Sequence, residues 1–344
     1  MTATIATTAR VSDLKLLPAE SNAFTIVISA EDATSSTAAE FNAINSATSV
    51  AVDMTNVTAL AASTLSDVNT LALAIKDWRN TDQIRNGGRL TTVAISDSTI
   101  DATALATAID NLDVINLGST TDMTLASGAT INVDAGEVTE MLLDETQNRL
   151  ALTDQNIVVT GNITVNDANL LNATTTGTVT AEIDPTETVD SLVNLTGTNA
   201  YTIVISAEDA TSSTAAEFNA INSATSVAVD MTNVTALAAS TLSDVNTLAL
   251  AIKDWRNTDQ IRNGGRLTTV AISDSTIDAT ALATAIDNLD VINLGSTTDM
   301  TLASGATINV DAGEVTEMLL DETQNRLALT CLLYTSPSPR DEQS

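Results

Sequence analysis

The sequence has no histidine and a single cysteine, Cys331. The commonest general base and transition-metal ligand is therefore missing, and one cysteine makes neither a disulfide framework nor a thiolate zinc site. Positive charge is also scarce: 13 Lys and Arg stand against 44 Asp and Glu, a formal net charge of -31. A field of that sign repels phosphate backbones and anionic lipid surfaces, which makes nucleic acid and membranes poor partners. Aromatic residues are 2% of a chain that is 44% apolar. Ala, Val, Leu and Ile must then supply the core, and such side chains suit thin, regularly layered interiors. No apolar run approaches the roughly 18 residues of a membrane span. The opening MTATIATTARVSDLKLL has neither the basic leader nor the continuous apolar stretch of a secretory signal, so the chain is either cytosolic or exported by a signal carried elsewhere.

What is present is repetition, the first thing to look for in any fold reading. Thr25 to Thr153 and Thr202 to Thr330 are identical at all 129 positions. Old tandem repeats drift, particularly at solvated positions, so identity on this scale means recent duplication, gene conversion, or a join made while assembling repetitive reads. The expected organisation is a diverged leading turn (1–24), a first copy (25–153), connecting turns (154–201), a second copy (202–330) and a foreign tail (331–344).

A shorter rhythm runs within each copy. TIVIS (25–29), SVAVD (49–53), LTTVAIS (90–96), TINVD (130–134), NITVND (162–167) and TVTAEI (178–183) alternate apolar with small polar residues, as strands do. Short helical patterns follow several of them. Residues 37–45 place Ala38, Phe41 and Ile44 on one face, with Thr37 and Glu40 at capping-box spacing. Residues 101–112 do the same with Leu105, Ile109 and Leu112, and residues 136–143 with Val138, Met141 and Leu142. Helices of two or three turns need a surface to lean on. The repeat length is that of a solenoid with one strand per rung and a helix or loop as crossover. The expected fold is therefore an α/β solenoid, a parallel β-strand ladder with short helices or loops as crossovers; the alternative is an all-β parallel β-helix. Asn86-Gly87 is one of the few hairpin-like signals.

The stretch TAAEFNAINSATSVAVDMTNVTALAASTLSDVNTLALAI (37–75, and again 214–252) resembles the Ala/Thr/Asp/Val-rich repeats of very large bacterial surface or secreted proteins, common in marine bacteria including cyanobacteria. The resemblance covers most of residues 20–330. It implies an extracellular or cell-surface, structural or adhesive protein, and it brings no catalytic residues to transfer. The G-G-x-G-x-D calcium nonapeptide that often accompanies such proteins is absent, since NGGRLTT (86–92) lacks the spacing and the Asp. CLLYTSPSPRD (331–341) resembles a sequencing-library transposase adapter translated as protein, which implies that the natural reading frame departs near Thr330.

Candidate sites are few. Asp110 with Asp113, or Asp144 with Glu145, have the residue types of an acid/base dyad, but a dyad needs environments that drive two pKa values apart. Asp53, Asp97, Asp134 and Asp167 close strand patterns. Stacked at strand ends they offer hard oxygen ligands to Ca²⁺, while the plainer reading is that each caps a helix or shapes a turn. KDWRNTDQIRNGGR (76–89) holds four of the five basic residues of the copy and its only Trp. Trp78, Arg79, Arg85 and Arg89 form a candidate contact with a cell-surface polysaccharide or with neighbouring acidic repeats. The expected function is non-catalytic, structural or adhesive, without a bound cofactor other than Ca²⁺. The alternatives are a carbohydrate-active β-helix enzyme or polysaccharide-binding module, and a phage fibre segment.

Overall fold

The computed structural model describes residues 2–18, 22–76, 83–115, 122–253, 260–292, 299–329 and 333–335. It is an α/β structure in which parallel sheets alternate with short helices, and every strand pair among the described residues is parallel. The chain separates into two compact units, residues 1–161 with 170–179, and residues 162–169 with 180–344.

In the first unit, strands Ala59–Ser63, Thr92–Ile95, Asp122–Leu125 and Leu150–Ala151 lie side by side in chain order. A second ladder joins Thr99–Asp101, Thr130–Asp134 and the first residues of Asn156–Ile163, with Ile100 beside Ile131 and Ile131 beside Ile157. Shorter parallel pairs join Thr2–Thr4 to Ala23–Thr25 and Val52–Asp53 to Ile84–Arg85. Passages of the chain between helices therefore carry from one strand, as at Ala200–Thr202, to three, as at Ile84–Arg85, Thr92–Ile95 and Thr99–Asp101, where the sequence suggested one. The cause is a tight corner such as 126–129, in which Ala129 N–H bonds Ala126 O at 3.1 Å and Gly128 takes φ 67°, a conformation that side chains resist. Pairing intervals run from 20 residues (Thr180 with Ala200) to 33 (Ala59 with Thr92). The crossover helices vary from the 4 residues of Val11–Leu14 to the 14 of Ala102–Ile115.

Apolar alternation decides which face is core. Val93, Ile95, Ile100, Met123, Ile131, Val133 and Ile157 are all at most 2% exposed, as are Leu105, Ile109 and Leu112 of helix Ala102–Ile115. The helices pack in succession, Val11–Leu14 on Ala38–Ser46, that on Leu65–Lys76, and that on Ala102–Ile115. Ala38–Ser46 has the expected capping box: Glu40 N–H donates to Thr37 Oγ1 at 3.3 Å and Thr37 N–H to Glu40 Oε2 at 3.0 Å. NITVND (162–167) is not a strand throughout. Asn156–Ile163 ends there, and Thr164 opens the helix Val165–Thr174 by accepting from Asp167 N–H at 3.1 Å.

The second unit repeats the arrangement. Ala236–Ser240, Thr269–Ile272, Asp299–Leu302 and Leu327–Ala328 form one ladder, and Thr276–Asp278, Thr307–Asn309 and Leu333–Thr335 the other. The leading turns of both units are also alike. Helix Val189–Leu192 follows strand Val179–Ile183 as Val11–Leu14 follows Thr2–Thr4, although the two stretches share few residues. Where the first unit has Phe24, the second has Tyr201, fully buried, donating its hydroxyl to Ala168 O at 3.1 Å and accepting from Asn199 Nδ2 at 3.2 Å.

Candidate functional site

The four aspartates proposed for calcium each have their own local partners. Asp53 pairs in register with Arg85, whose guanidinium lies 3.9 Å from it, and its other oxygen accepts from Thr55 N–H at 2.9 Å and Thr55 Oγ1 at 2.6 Å. Asp134 stands opposite Thr160 and donates its N–H to Glu137 Oε2 at 3.4 Å. Asp167 lies in the first turn of a helix and accepts from Thr164 Oγ1 at 2.8 Å. Asp97 accepts from the backbone N–H of Leu65 at 2.7 Å. Among the described residues no three carboxylates are grouped to hold a metal ion.

Asp97 reveals a rule that sequence reasoning missed. A helix leaves its first N–H groups without intrahelical partners, and the usual remedy is the residue just before it. Here the acceptor for the first helical N–H comes from beyond the helix, in the following passage of the chain. Asp32 serves Val11 at 3.2 Å, Ser63 serves Ala38 at 2.9 Å, and Asp97 serves Leu65. In the second unit Glu187 serves Val165, Asp209 serves Val189, Ser240 serves Ala215 and Asp274 serves Leu242. A register shift between Leu60 and Ser63 accompanies the inward placing of Ser63. Asparagines on the helices add a second tie: Asn42 Nδ2 donates to Asp67 O and Asn69 Nδ2 to Ala104 O, at 2.9 and 3.2 Å.

Asn86 is not a hairpin residue. Ile84–Arg85 runs parallel to its neighbour, and Gly87 and Gly88 take φ 68° and 71° to turn the chain. The Asn86 side chain, wholly buried, donates to Met54 O and Val57 O at 2.9 and 3.1 Å and accepts from Arg89 N–H and Leu90 N–H at 2.8 and 2.9 Å. Arg85 and Arg89 are exposed and Lys76 Nζ bonds Asn111 Oδ1 at 2.8 Å. Trp78 and Arg79 lie outside the described residues.

The densest charge cluster centres on Arg149, which the sequence did not single out. Helix Val138–Thr146 ends, Asn148 enters the left-handed region at φ 55°, and Arg149 N–H returns to Asp144 O at 2.9 Å. Asn tolerates that conformation better than most residues. The guanidinium, 14% exposed, then lies 2.8 Å from Asp144, 2.6 Å from Asp113 and 3.1 Å from Asp110. Asp110 and Asp113 are thus brought together, on one cation and not on each other, while Asp144 is buried and Glu145 half-buried. Burial pushes the Asp144 carboxyl above its ordinary range; Arg149 opposes this, and Asp110, Glu140 and Asp113 reinforce it. The adjoining cleft, lined by Leu105, Glu140, Met141 and Asp144, holds about 20 Å³, far below the roughly 300 Å³ at which small-molecule sites begin. The arrangement ties one helix to the next through charge.

No protein-family model matches the chain, and no match was found among curated proteins or solved structures.

Proposed function

We propose that this chain is a non-catalytic structural or adhesive segment of a large extracellular bacterial repeat protein, built as an α/β solenoid whose turns carry one to three short parallel strands and a crossover helix. The observation that carries this reading is the set of helix caps supplied by the following turn. Polar side chains that an enzyme would aim at a substrate are spent here on joining neighbours. The acidic surface provides solubility and spacing between repeats, and cell-surface polysaccharide is the partner class we propose for the exposed arginines.

Small-angle scattering tests the architecture: a solenoid gives an elongated monomer, and a spherical particle or a trimer would count against it. Incubation with acidic and neutral polysaccharides tests the role. Retention without cleavage is expected, and release of reducing or unsaturated ends would overturn a purely structural assignment.

A further inference from the structure

The stretch between the two copies contains Asp184 followed by Pro185, the one proline of the sequence that follows an aspartate; Pro18 follows leucine, and Pro337 and Pro339 follow serine. An aspartyl carboxylate is one ring closure away from the carbonyl carbon of its own residue. Proline makes that peptide a tertiary amide with no N–H, whose nitrogen leaves as a secondary amine. The position matters as well: residues 25–153 lie wholly before this bond and residues 202–330 wholly after it.

The fold holds the groups of this bond in place. Asp184 follows strand Val179–Ile183 and donates its N–H to Ile163 O at 2.9 Å, while its own carbonyl accepts from Glu187 N–H at 2.9 Å. Glu187 is fixed in turn, accepting from Val165 N–H at 3.1 Å and from Ser191 Oγ at 2.5 Å. A fixed N–H on the carbonyl oxygen stabilises the negative charge that develops there when the carbon is attacked. Asp184 Oδ1 accepts from Thr186 N–H at 2.9 Å and from Thr186 Oγ1 at 2.7 Å, which lays the carboxylate alongside the peptide joining 184 to 185. These bonds hold the carboxyl below its ordinary 3.8, so it stays an ionised nucleophile further into acid, where protons for the leaving nitrogen are abundant. Pro185 and Thr186 are exposed, and water reaches the bond. Asp53 carries the same tether, to Thr55 N–H and Oγ1, but Met54 follows it and donates its N–H to Arg85 O at 2.8 Å. That peptide is a secondary amide bonded across the ladder.

We propose that the peptide bond between Asp184 and Pro185 is a self-cleavage site, at which mild acid divides the chain into two polypeptides that each carry one complete copy. Asp184 Oδ2 attacks the carbonyl carbon of its own residue and closes a five-membered cyclic anhydride. The bond to the Pro185 nitrogen breaks, and that nitrogen keeps the electron pair and takes a proton from hydronium. Water then opens the anhydride. The net change is hydrolysis of one peptide bond, with Asp184 left carrying its side-chain carboxyl and a new terminal one. Pairing of Thr180 to Glu182 with Ala200 to Thr202 spans the break, so the pieces stay together while the fold lasts. This activity is independent of any structural or adhesive role.

The test is incubation of the full chain at about pH 4, near the ordinary aspartate value, or at the lowest pH above it where circular dichroism shows the native fold. Products are read by mass spectrometry in denaturant. Fragments 1–184 and 185–344 are expected, the second beginning at proline. They should form roughly tenfold or more faster than from the same chain unfolded in guanidinium chloride, because the fold holds the reacting groups together. Asp184→Asn keeps an Oδ1 for Thr186 and lacks the nucleophile, so its circular dichroism should match the parent and cleavage should stop. Thr186→Ala should slow cleavage of the folded chain and leave the unfolded rate unchanged, and the bond between Asp53 and Met54 should stay intact throughout. An uncut chain, cleavage that persists in Asp184→Asn, or a folded rate no higher than the unfolded one would each overturn the proposal.

Discussion

Single residues carry weight where one buried polar side chain ties several backbone groups together. Asn86 is the clearest case. Replacing it with Ala removes four hydrogen bonds from a wholly buried site, and Asn86→Ala should cost about 3 kcal/mol in urea unfolding. Tyr201→Phe, which leaves Ala168 O without its donor, should cost about 1 kcal/mol. Titration offers a further check. Bonding to Lys15, and then to Thr37 N–H, holds the Glu40 carboxyl below its ordinary 4.5. Its folded pKa is depressed, so its contribution is present above pH 4.5 and is lost as pH falls through the lower folded value. Melting followed from pH 5 to pH 3 should therefore fall less steeply in Glu40→Gln than in the parent. Asp144 runs the other way: its raised folded pKa means that its contribution to stability falls as pH rises from 3.8 through that value. Apart from the Thr37–Glu40 cap pair, none of this was legible in the sequence. Arg149 and its partners Asp110 and Asp113 lie in different elements, and Asn86-Gly87 carries the same local signal for a hairpin as for the parallel turn it makes.

Elements divide into those whose information is local and those whose information is not. Helix Ala38–Ser46 was legible because its cap pair and its apolar stripe lie within ten residues of one another. Val165–Thr174 was not, because β-branched Ile163, Thr164 and Val165 advertise a strand while the deciding bond joins Thr164 to Asp167. The splitting of some passages into two or three strands was hidden for a related reason: corners of three or four residues do not interrupt an alternating pattern enough to be seen. Two substitutions test the elements. Asp97→Ala removes the cap of Leu65–Lys76 from outside that helix and should cost about 1 kcal/mol, although the two residues are 32 positions apart. Gly177→Ala should cost about 2 kcal/mol or more, since a methyl there would sit 2.2 Å from the Gln155 carbonyl oxygen. Both are read from unfolding midpoints.

For the whole molecule, charge is the dominant fact. A formal net charge of -31 makes the folded state repel itself, and salt relieves that repulsion as the screening length falls from about 30 Å at 0.01 M to about 8 Å at 0.15 M. Raising sodium chloride over that interval should raise the melting temperature. With Asp53, Asp97, Asp134 and Asp167 already engaged in separate turns, caps and pairs, calcium at equal ionic strength should add nothing beyond sodium, and EDTA should leave the melting temperature unchanged. A calcium-specific stabilisation would show that carboxylates gather in a way this arrangement does not predict. The general class, parallel α/β with short crossovers, was legible because composition, repeat length and alternation all agree; the spacing between passages was not, because helix length sets it.

The helix caps impose a direction in time. In all seven cases the accepting side chain lies C-terminal to the helix it completes. A ribosome releases residues in that same order, so the first N–H of each of these seven helices waits for its acceptor until the next passage arrives. Growth of the structure is then vectorial, with one unfinished turn always at its advancing front. A chain emerging N-terminus first never holds a large unfolded reserve, and a pause in its synthesis leaves only that front exposed.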